Sequence, residues 1–389
     1  MFPLLSDLIA YVFGVTTVLP IPTFGFFVAL AFILAYFTFL SEFKRKEAAG
    51  EIDPFERELK SRKSPSMTDY LEYGFLGFII GFKVIGAFVF SEDFSQSPLR
   101  FIFSLKGSWF FAILLSALFL FLLNWQHRLE KATKTNKATE PNKVSIKIHP
   151  YQLMPKLVLW AAIWGFLGAK IFNYLENVQK YNNYTFSDFL QYSGLTFFGG
   201  LTFGALSFLY IGYTRGIRLI DLADIGSPGM LVAYGIGRIG CQLSGDGDWG
   251  IVNKFVKPFS WLPDWTWSSK FPHNVLNQGE YISGCTGYHC FQLISGVFPT
   301  SFYESVIILL CFSILWLNRI RIKRPGLMFC LYLLVIGIER FCIEYLRLTF
   351  KYDVFGLQLS QAQLISIFGV VLAAVIGLYV KDNKLQRIL

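Results

Sequence analysis

Apolar residues run along this chain in long blocks, with charge gathered in the stretches between them. Blocks near 20–41, 72–91, 108–125, 156–176, 195–213, 221–242, 299–318, 327–347 and 360–380 each approach the roughly 20 residues a helix needs to cross a bilayer. The pattern predicts an all-α polytopic membrane protein with about nine transmembrane helices. The apolar N-terminus (MFPLLSDLIAYVFGVTTVL) lacks a basic n-region and an A-x-A cleavage site, so it reads as a surface segment or the start of the first span rather than a removed signal peptide.

Lys and Arg alternate in density between the blocks. Loop 42–71 holds seven (Lys44, Arg45, Lys46, Arg57, Lys60, Arg62, Lys63), and loop 126–155 holds six (Arg128, Lys131, Lys134, Lys137, Lys143, Lys147). Turn 214–220 adds Arg215 and Arg218, turn 319–326 adds Arg319, Arg321, Lys323 and Arg324, and the tail adds Lys381, Lys384 and Arg387. Loop 92–107 has only Arg100 and Lys106, and loop 177–194 only Lys180. With the N-terminus outside and the C-terminus inside, every basic-rich loop falls on the inner side. Segment 243–298 then forms a small extracytoplasmic cap, rich in Gly and carrying Trp249, Trp261, Trp265 and Trp267, as suits headgroup depth.

The organisation that follows is a surface segment and first span (1–41), charged loops with two extra spans (42–155), core spans (156–242), the cap (243–298) and three C-terminal spans (299–389). Composition agrees. The chain is 54% hydrophobic and 16% charged, against about 25% charged for soluble proteins. The net charge of +9 lies in tracts flanking the spans, so it sets orientation and meets anionic lipid; no nucleic-acid partner is expected.

Cys285 and Cys290 share the cap in the run GCTGYHC, and an oxidising compartment favours a structural disulfide between them. With His289 alongside, a metal site is the weaker alternative, because the spacing matches no common zinc pattern. The other four cysteines (Cys241, Cys311, Cys330, Cys342) lie in or at the edge of spans, where Cys serves as a small hydrophobe.

Ionisable residues inside spans cost about 2.5–3.5 kcal/mol, so each is a functional candidate. Gly235 to Gly250 places Arg238, Cys241, Gln242, Ser244, Asp246 and Asp248 among glycines at the outer end of the sixth span. Glycine lets backbone approach a ligand, and a guanidinium grips phosphate bidentately; the alternative is an Arg238 that snorkels or pairs with an acid. Arg340, Glu344 and Arg347 follow at offsets of four and three along one face of the eighth. That ladder is either purely structural or a site for an anionic headgroup. Phe298 to Glu304 opens the seventh, where Ser301 and Glu304 have capping-box spacing, so capping and a ligand role stand level. Gly199-Gly200, in the run from Gly194 to Gly204, either admits a lipid or packs helices. Gly74 to Gly77 with Lys83 weakly echoes Gly165 to Gly168 with Lys170, without establishing a repeat.

These elements resemble the prolipoprotein diacylglyceryl transferase family. Gly237 to Gly250 resembles its G-R-x-G-N-x-x-N-x-E-x-x-G signature, Phe198 to Leu201 its H-G-G-L, Phe298 to Glu304 its H-P-T-Q-x-Y-E, and Arg340, Glu344 and Arg347 its R-x-x-x-E-x-x-R. Order and separation agree over roughly 195–380, with two spans inserted after the first relative to the usual seven. Phe198 and Phe298 stand where the family has His, Phe24 where Tyr is expected, Cys241 and Ser244 where it has Asn, and Asp246 where it has Glu. An imidazole at position 198 is therefore excluded.

The resemblance implies transfer of sn-1,2-diacylglyceryl from phosphatidylglycerol to the lipobox cysteine of signal-peptide-bearing preprolipoproteins, without cofactor or metal. It implies a bacterial inner-membrane location with the site on the periplasmic side. Arg238 and Arg340 are the expected phosphate clamp, and Asp246 either orients Arg238 or accepts the thiol proton. Glu344, Arg347, Tyr303, Gly199, Gly200, Ser244 and Gly250 are expected to hold lipid substrate. A lipid-binding or scaffold relative without activity is the alternative. A transporter would place its charges nearer the midplane.

Overall fold

The computed structural model describes residues 1–15, 19, 21–59, 65, 67–96, 101–102, 104–134, 144–177, 196–354 and 356–381. Its elements are α1 (Leu5–Phe13), α2 (Thr23–Ala48), α3 (Met67–Ile79), α4 (Trp109–Lys134), α5 (Met154–Asn177), α6 (Phe197–Tyr213), α7 (Leu219–Ser244), α8 (Thr300–Asn318), α9 (Leu327–Ile343) and α10 (Gln361–Lys381). Nine of these, α2 to α10, lie where the apolar blocks predict spans. Among the described residues, seven segments are long and apolar enough to cross a membrane: 23–48, 69–89, 109–128, 150–175, 219–244, 300–318 and 361–380. The other two, α6 and α9, have 17 residues each. At 1.5 Å per residue they fall a few ångström short of a typical ~30 Å hydrocarbon core. The chain is a helical multi-pass membrane protein.

Helix α7 is the central element. It packs against α2, α8 and α9, which explains why its glycines are needed: a Cβ at Gly229 would meet Phe39 of α2 at 2.1 Å, and one at Gly235 would meet Leu309 of α8 at 2.7 Å. One core cluster, built on Phe43, Met154, Leu157, Leu222 and Ile225, joins α2, α5 and α7. A second, built on Leu231, Ile308, Leu315 and Met328, joins α7, α8 and α9. The first span therefore belongs to the core. The segments that follow it form a more separate body. Helices α3 and α4 pair with each other, and an antiparallel ribbon joins β1 (Phe55–Leu59) to β2 (Val144–Ile148).

The two short glycine echoes have one physical explanation. A Cβ at Gly77 would meet the Leu115 carbonyl of α4 at 2.6 Å, and one at Gly168 would meet the Gly199 carbonyl of α6 at 2.4 Å. Both are close helix crossings, as small residues permit.

Charge is placed at both ends of α7. Near its start, Lys46 Nζ lies 3.2 Å from Asp221 Oδ1 and 3.6 Å from Asp224 Oδ2, with all three side chains buried. At its far end, Gly245 adopts φ +66 and Gly247 φ +101, left-handed values that turn the chain back over the helix terminus into the cap. The cap carries a short ribbon of β3 (Glu280–Tyr281) and β4 (Phe291–Gln292), and a disulfide joins Cys285 to Cys290. His289 belongs to no metal-ligating cluster among the described residues.

Candidate active site: an arginine cluster closed around one glutamate

The turn after Gly245, the end of α7, the start of α8 and the end of α9 meet at the cap end of the bundle. Glu304, in the second turn of α8, is fully buried. Three guanidinium groups converge on it. Arg238 Nε pairs with Oε2, while Arg340 Nη1 and Arg347 Nη1 lie 3.2 and 3.0 Å from Oε1. The Tyr234 hydroxyl donates to Oε2 at 3.1 Å, and the Arg238 guanidinium lies 5.0 Å from the centre of the same tyrosine ring.

Asp248 closes the cluster from the cap side. Its Oδ2 pairs with Arg238 Nη1, and its Oδ1 accepts from Arg347 Nη2 at 2.6 Å. Arg340 Nη2 lies 3.2 Å from Glu344 Oε2, the predicted four-residue rung. Arg238, Arg340 and Arg347 are thus matched by Asp248, Glu304 and Glu344. Burial alone would raise the Asp248 carboxyl, but Arg238 and Arg347 outweigh it and hold the group below its ordinary range.

The backbone locks this turn in place. Thr300 Oγ1 and Ser301 Oγ donate to the Asp248 carbonyl at 2.7 and 2.9 Å. Gly250 N donates to the Phe298 carbonyl at 2.8 Å, Ile251 N to the Leu346 carbonyl at 2.8 Å, and Gly250 forms a β-bridge with Arg347. A Cβ at Gly250 would meet the Leu346 carbonyl at 2.4 Å and Thr300 Cγ2 at 2.9 Å, so three strands of chain can cross only with glycine there.

Arg238 and Arg340 therefore meet, through the carboxylate of Glu304, and Arg347 joins them. Other expected site residues have different partners. The partner of Arg238 is Asp248 and not Asp246. Asp246 instead accepts from Asp248 N at 3.3 Å and meets the Cys241 thiol. Burial, and then the Asp248 charge, push the Asp246 carboxyl above the ordinary range. Tyr303 Oη donates to the Thr266 carbonyl at 2.9 Å, which ties α8 to the cap. Ser244 Oγ turns back to the Cys241 carbonyl at 3.3 Å and finishes the helix.

Gly199 and Gly200 face α5, where a Cβ on Gly199 would meet the Gly168 carbonyl at 2.3 Å; this diglycine is a helix crossing. Gly194, at the head of that run, lies outside the described residues, as do Lys60, Arg62, Lys63, Arg100, Lys137, Lys143, Lys180, Lys384 and Arg387 among the loop cations.

Glu304 and Asp248 are the residues that sequence reasoning undervalued. Capping-box spacing hid Glu304, but no side chain caps α8, and the Ser301 hydroxyl goes to Asp248 instead. Cys241, Asp246 and Asp248 offer ligand atoms within 4.8 Å of one another, yet both Asp248 oxygens already face guanidinium groups.

A buried, arginine-rich cluster with this order of elements can be compared with known proteins. The sequence profile of prolipoprotein diacylglyceryl transferase matches residues 100–379. The chain belongs to the prolipoprotein diacylglyceryl transferase family. A relative from Clostridium botulinum strain Langeland, named phosphatidylglycerol–prolipoprotein diacylglyceryl transferase, is 29% identical over 211 residues, or 53% of this chain and 72% of its own. Proteins of the same name from Shouchella clausii and Staphylococcus saprophyticus are 29% and 28% identical, over 59% and 57% of this chain and 76% and 71% of theirs. The transferase family match includes every member of the arginine cluster, while α2, which packs along α7, precedes it.

Proposed function

We propose that this chain transfers a diacylglyceryl group from phosphatidylglycerol to the cysteine thiol of prolipoproteins, at the cap end of α7 and on the outward face of a bacterial inner membrane. The observation that carries this reading is the convergence of Arg238, Arg340 and Arg347 on Glu304 and Asp248. The names of the relatives support the two substrates.

The chemistry requires a thiolate in line with a glycerol carbon, and fixed positive charge where the phosphate departs. Each guanidinium has five N–H donors, and the carboxylate partners occupy only some of them. Arg340, whose side chain is 17% exposed, is the most open of the three, against 10% for Arg238 and 11% for Arg347. The lipid phosphate enters as a further anion, sharing Arg238 and Arg340 with Glu304 and Asp248. Glu344 and Arg347 hold Arg340 and Glu304 in place. Asp246 takes the thiol proton; its raised affinity for a proton brings it closer to the range of a useful base.

The test is incubation of purified protein with phosphatidylglycerol and a lipobox peptide, read by mass. A diacylglyceryl mass gain, abolished in Arg238→Ala and Arg340→Ala, is expected. No gain beside an active control transferase would leave the lipid-binding reading instead. Transfer that survives both substitutions would overturn the site.

A further inference from the structure

Glu339 stands immediately before Arg340 in the outer part of α9 and is 7% exposed. Among the described residues, neither of its carboxyl oxygens has a hydrogen-bond partner and it joins no ion pair. The three arginines beside it are all committed to Asp248, Glu304 and Glu344. Adjacent helical positions point to different faces. Glu339 thus turns away from the ladder, toward the side on which Tyr332, Val335 and Ile336, seven, four and three residues earlier, pack against α7 and α8.

Its electrostatic neighbours lie on three elements. They are Tyr234 and Arg238 on α7, Glu304 and Cys311 on α8, and Arg340 and Arg347 on and just after its own helix. Glu304 is foremost among them. Two carboxyls here share one buried neighbourhood. One is clasped by three guanidiniums, and the other has none. Three guanidiniums offset a charge on the clasped group, whereas a charge on the other would face a second carboxylate without a salt-bridge partner. An ionised carboxylate without a partner, buried at this depth, would cost several kcal/mol.

We propose that Glu339 is a further catalytic residue: it is held as the neutral acid and gives its proton to the phosphate oxygen that leaves the diacylglyceryl carbon. This rests on the transfer reading above. The step balances. The thiol S–H bond breaks and its proton passes to the Asp246 carboxylate. A bond forms between sulfur and the third glycerol carbon. The bond from that carbon to the phosphate oxygen breaks, and its electron pair stays on oxygen. The Glu339 O–H proton moves to that oxygen, and glycerol phosphate departs. Proton exchange between Asp246 and Glu339 through solvent restores both. The two carboxyls that arginine leaves alone, Asp246 toward the cap and Glu339 toward the core, then act as base and acid on opposite sides of one clamp.

The experiment uses the full-length protein in detergent or nanodiscs and the isosteric variant Glu339→Gln, which stays neutral and so preserves packing. With phosphatidylglycerol, kcat is expected to fall about 10²–10⁴-fold while KM for lipid hardly moves. With 1,2-diacylglycerol 3-sulfate, which carries the same single charge and departs as a sulfate too weakly basic to need a proton, wild type and variant are expected to turn over alike. Equal losses on both substrates would mean a structural role and would overturn the proposal, as would no loss on either.

Infrared difference spectra supply a readout that does not depend on turnover. A protonated-carboxyl band absent from Glu339→Gln is expected, and it should shift when phosphatidylglycerol is added. Absence of that band, or its indifference to lipid, overturns the proposal even if the sulfate proves inert. Absence of transfer by wild-type protein overturns the transfer reading and the proposal with it, whereas active wild type with an unimpaired variant overturns the proposal alone.

Discussion

Helix α7 has a charged cluster at each end, and the two are built differently. At its start, acids and bases satisfy one another locally. Lys46 meets Asp221, Asp224 and Glu51, Arg218 Nε lies 2.6 Å from Asp221, and Arg45 and Arg319 hold Glu42. Asp224 also accepts from the backbone N–H groups of Gly326 and Phe329 at 2.7 and 2.9 Å, which ties the turn before α9 to the cluster. At the far end, three arginines crowd onto one buried glutamate, Asp248 stays about one third exposed at 34%, and two further carboxyls, Asp246 and Glu339, form no salt bridge to an arginine among the described residues. The first arrangement fastens helices together. The second gathers positive charge beside a partly exposed carboxylate, at some cost in stability, which is what the proposed transfer site requires.

The harshest way to break this comparison is Glu304→Ala, which leaves three buried guanidiniums without their shared partner. Loss of a buried partner costs about 3–5 kcal/mol, and this variant should lie at the upper end, visible as loss of monodisperse protein and a large fall in thermal midpoint. Arg238→Ala is milder for folding but should lower transfer about 10²-fold or more. Arg238→Lys should recover little of that, since a point charge cannot span Glu304 and Asp248 together.

At the other end, Lys46→Met should cost about 3 kcal/mol in thermal unfolding and leave transfer per folded molecule unchanged. A matching loss of turnover would erase the distinction between the ends.

Acid provides a finer probe. Asp246 must be ionised to accept a proton, and its affinity for one is raised. Transfer should therefore fall with acidification well above about pH 3.9, the ordinary aspartate value. Asp248 shifts the opposite way. Its folded-state value lies below the unfolded one, so its stabilisation is present above about pH 3.9 and is lost as pH drops through the folded value. Turnover and unfolding should consequently lose ground in separate windows, turnover first. Tyr303→Phe is the gentlest test: it removes one hydrogen bond to the cap, worth about 0.5–1.5 kcal/mol, and should leave KM for lipid untouched.

Much of this was legible from residues alone, for identifiable reasons. Span positions follow from length and apolarity, which tertiary packing does not alter. Arg340, Glu344 and Arg347 lie on one regular helix, where spacing predicts neighbours. Past Gly245 that rule lapses, because the chain turns through left-handed backbone, and the choice of Asp248 over Asp246 as the arginine partner had no signal in spacing. Glu304 fitted a local capping pattern and a ligand role equally well, and its ion pairs with arginines of distant segments become visible only in the packing. Glu339 drew no attention in the sequence because it falls outside the three- and four-residue rungs of the ladder, successive helical residues diverging by about 100°. Phe198 stands where the family has His, and no local pattern indicated that Asp246 and Glu339 would stand beside the arginine cluster without a salt bridge to it.

The crossing at Gly250 has a mechanical corollary. The strand leaving the clamp is stitched to Leu346 and Arg347 by Ile251 N and the Gly250 bridge, while Tyr303 pins the cap to α8. A polypeptide that wedges under the cap cannot lift this stretch without tugging on Arg347 and hence on Asp248. Lifting of the cap and loosening of the arginine cluster are geared to each other by one glycine.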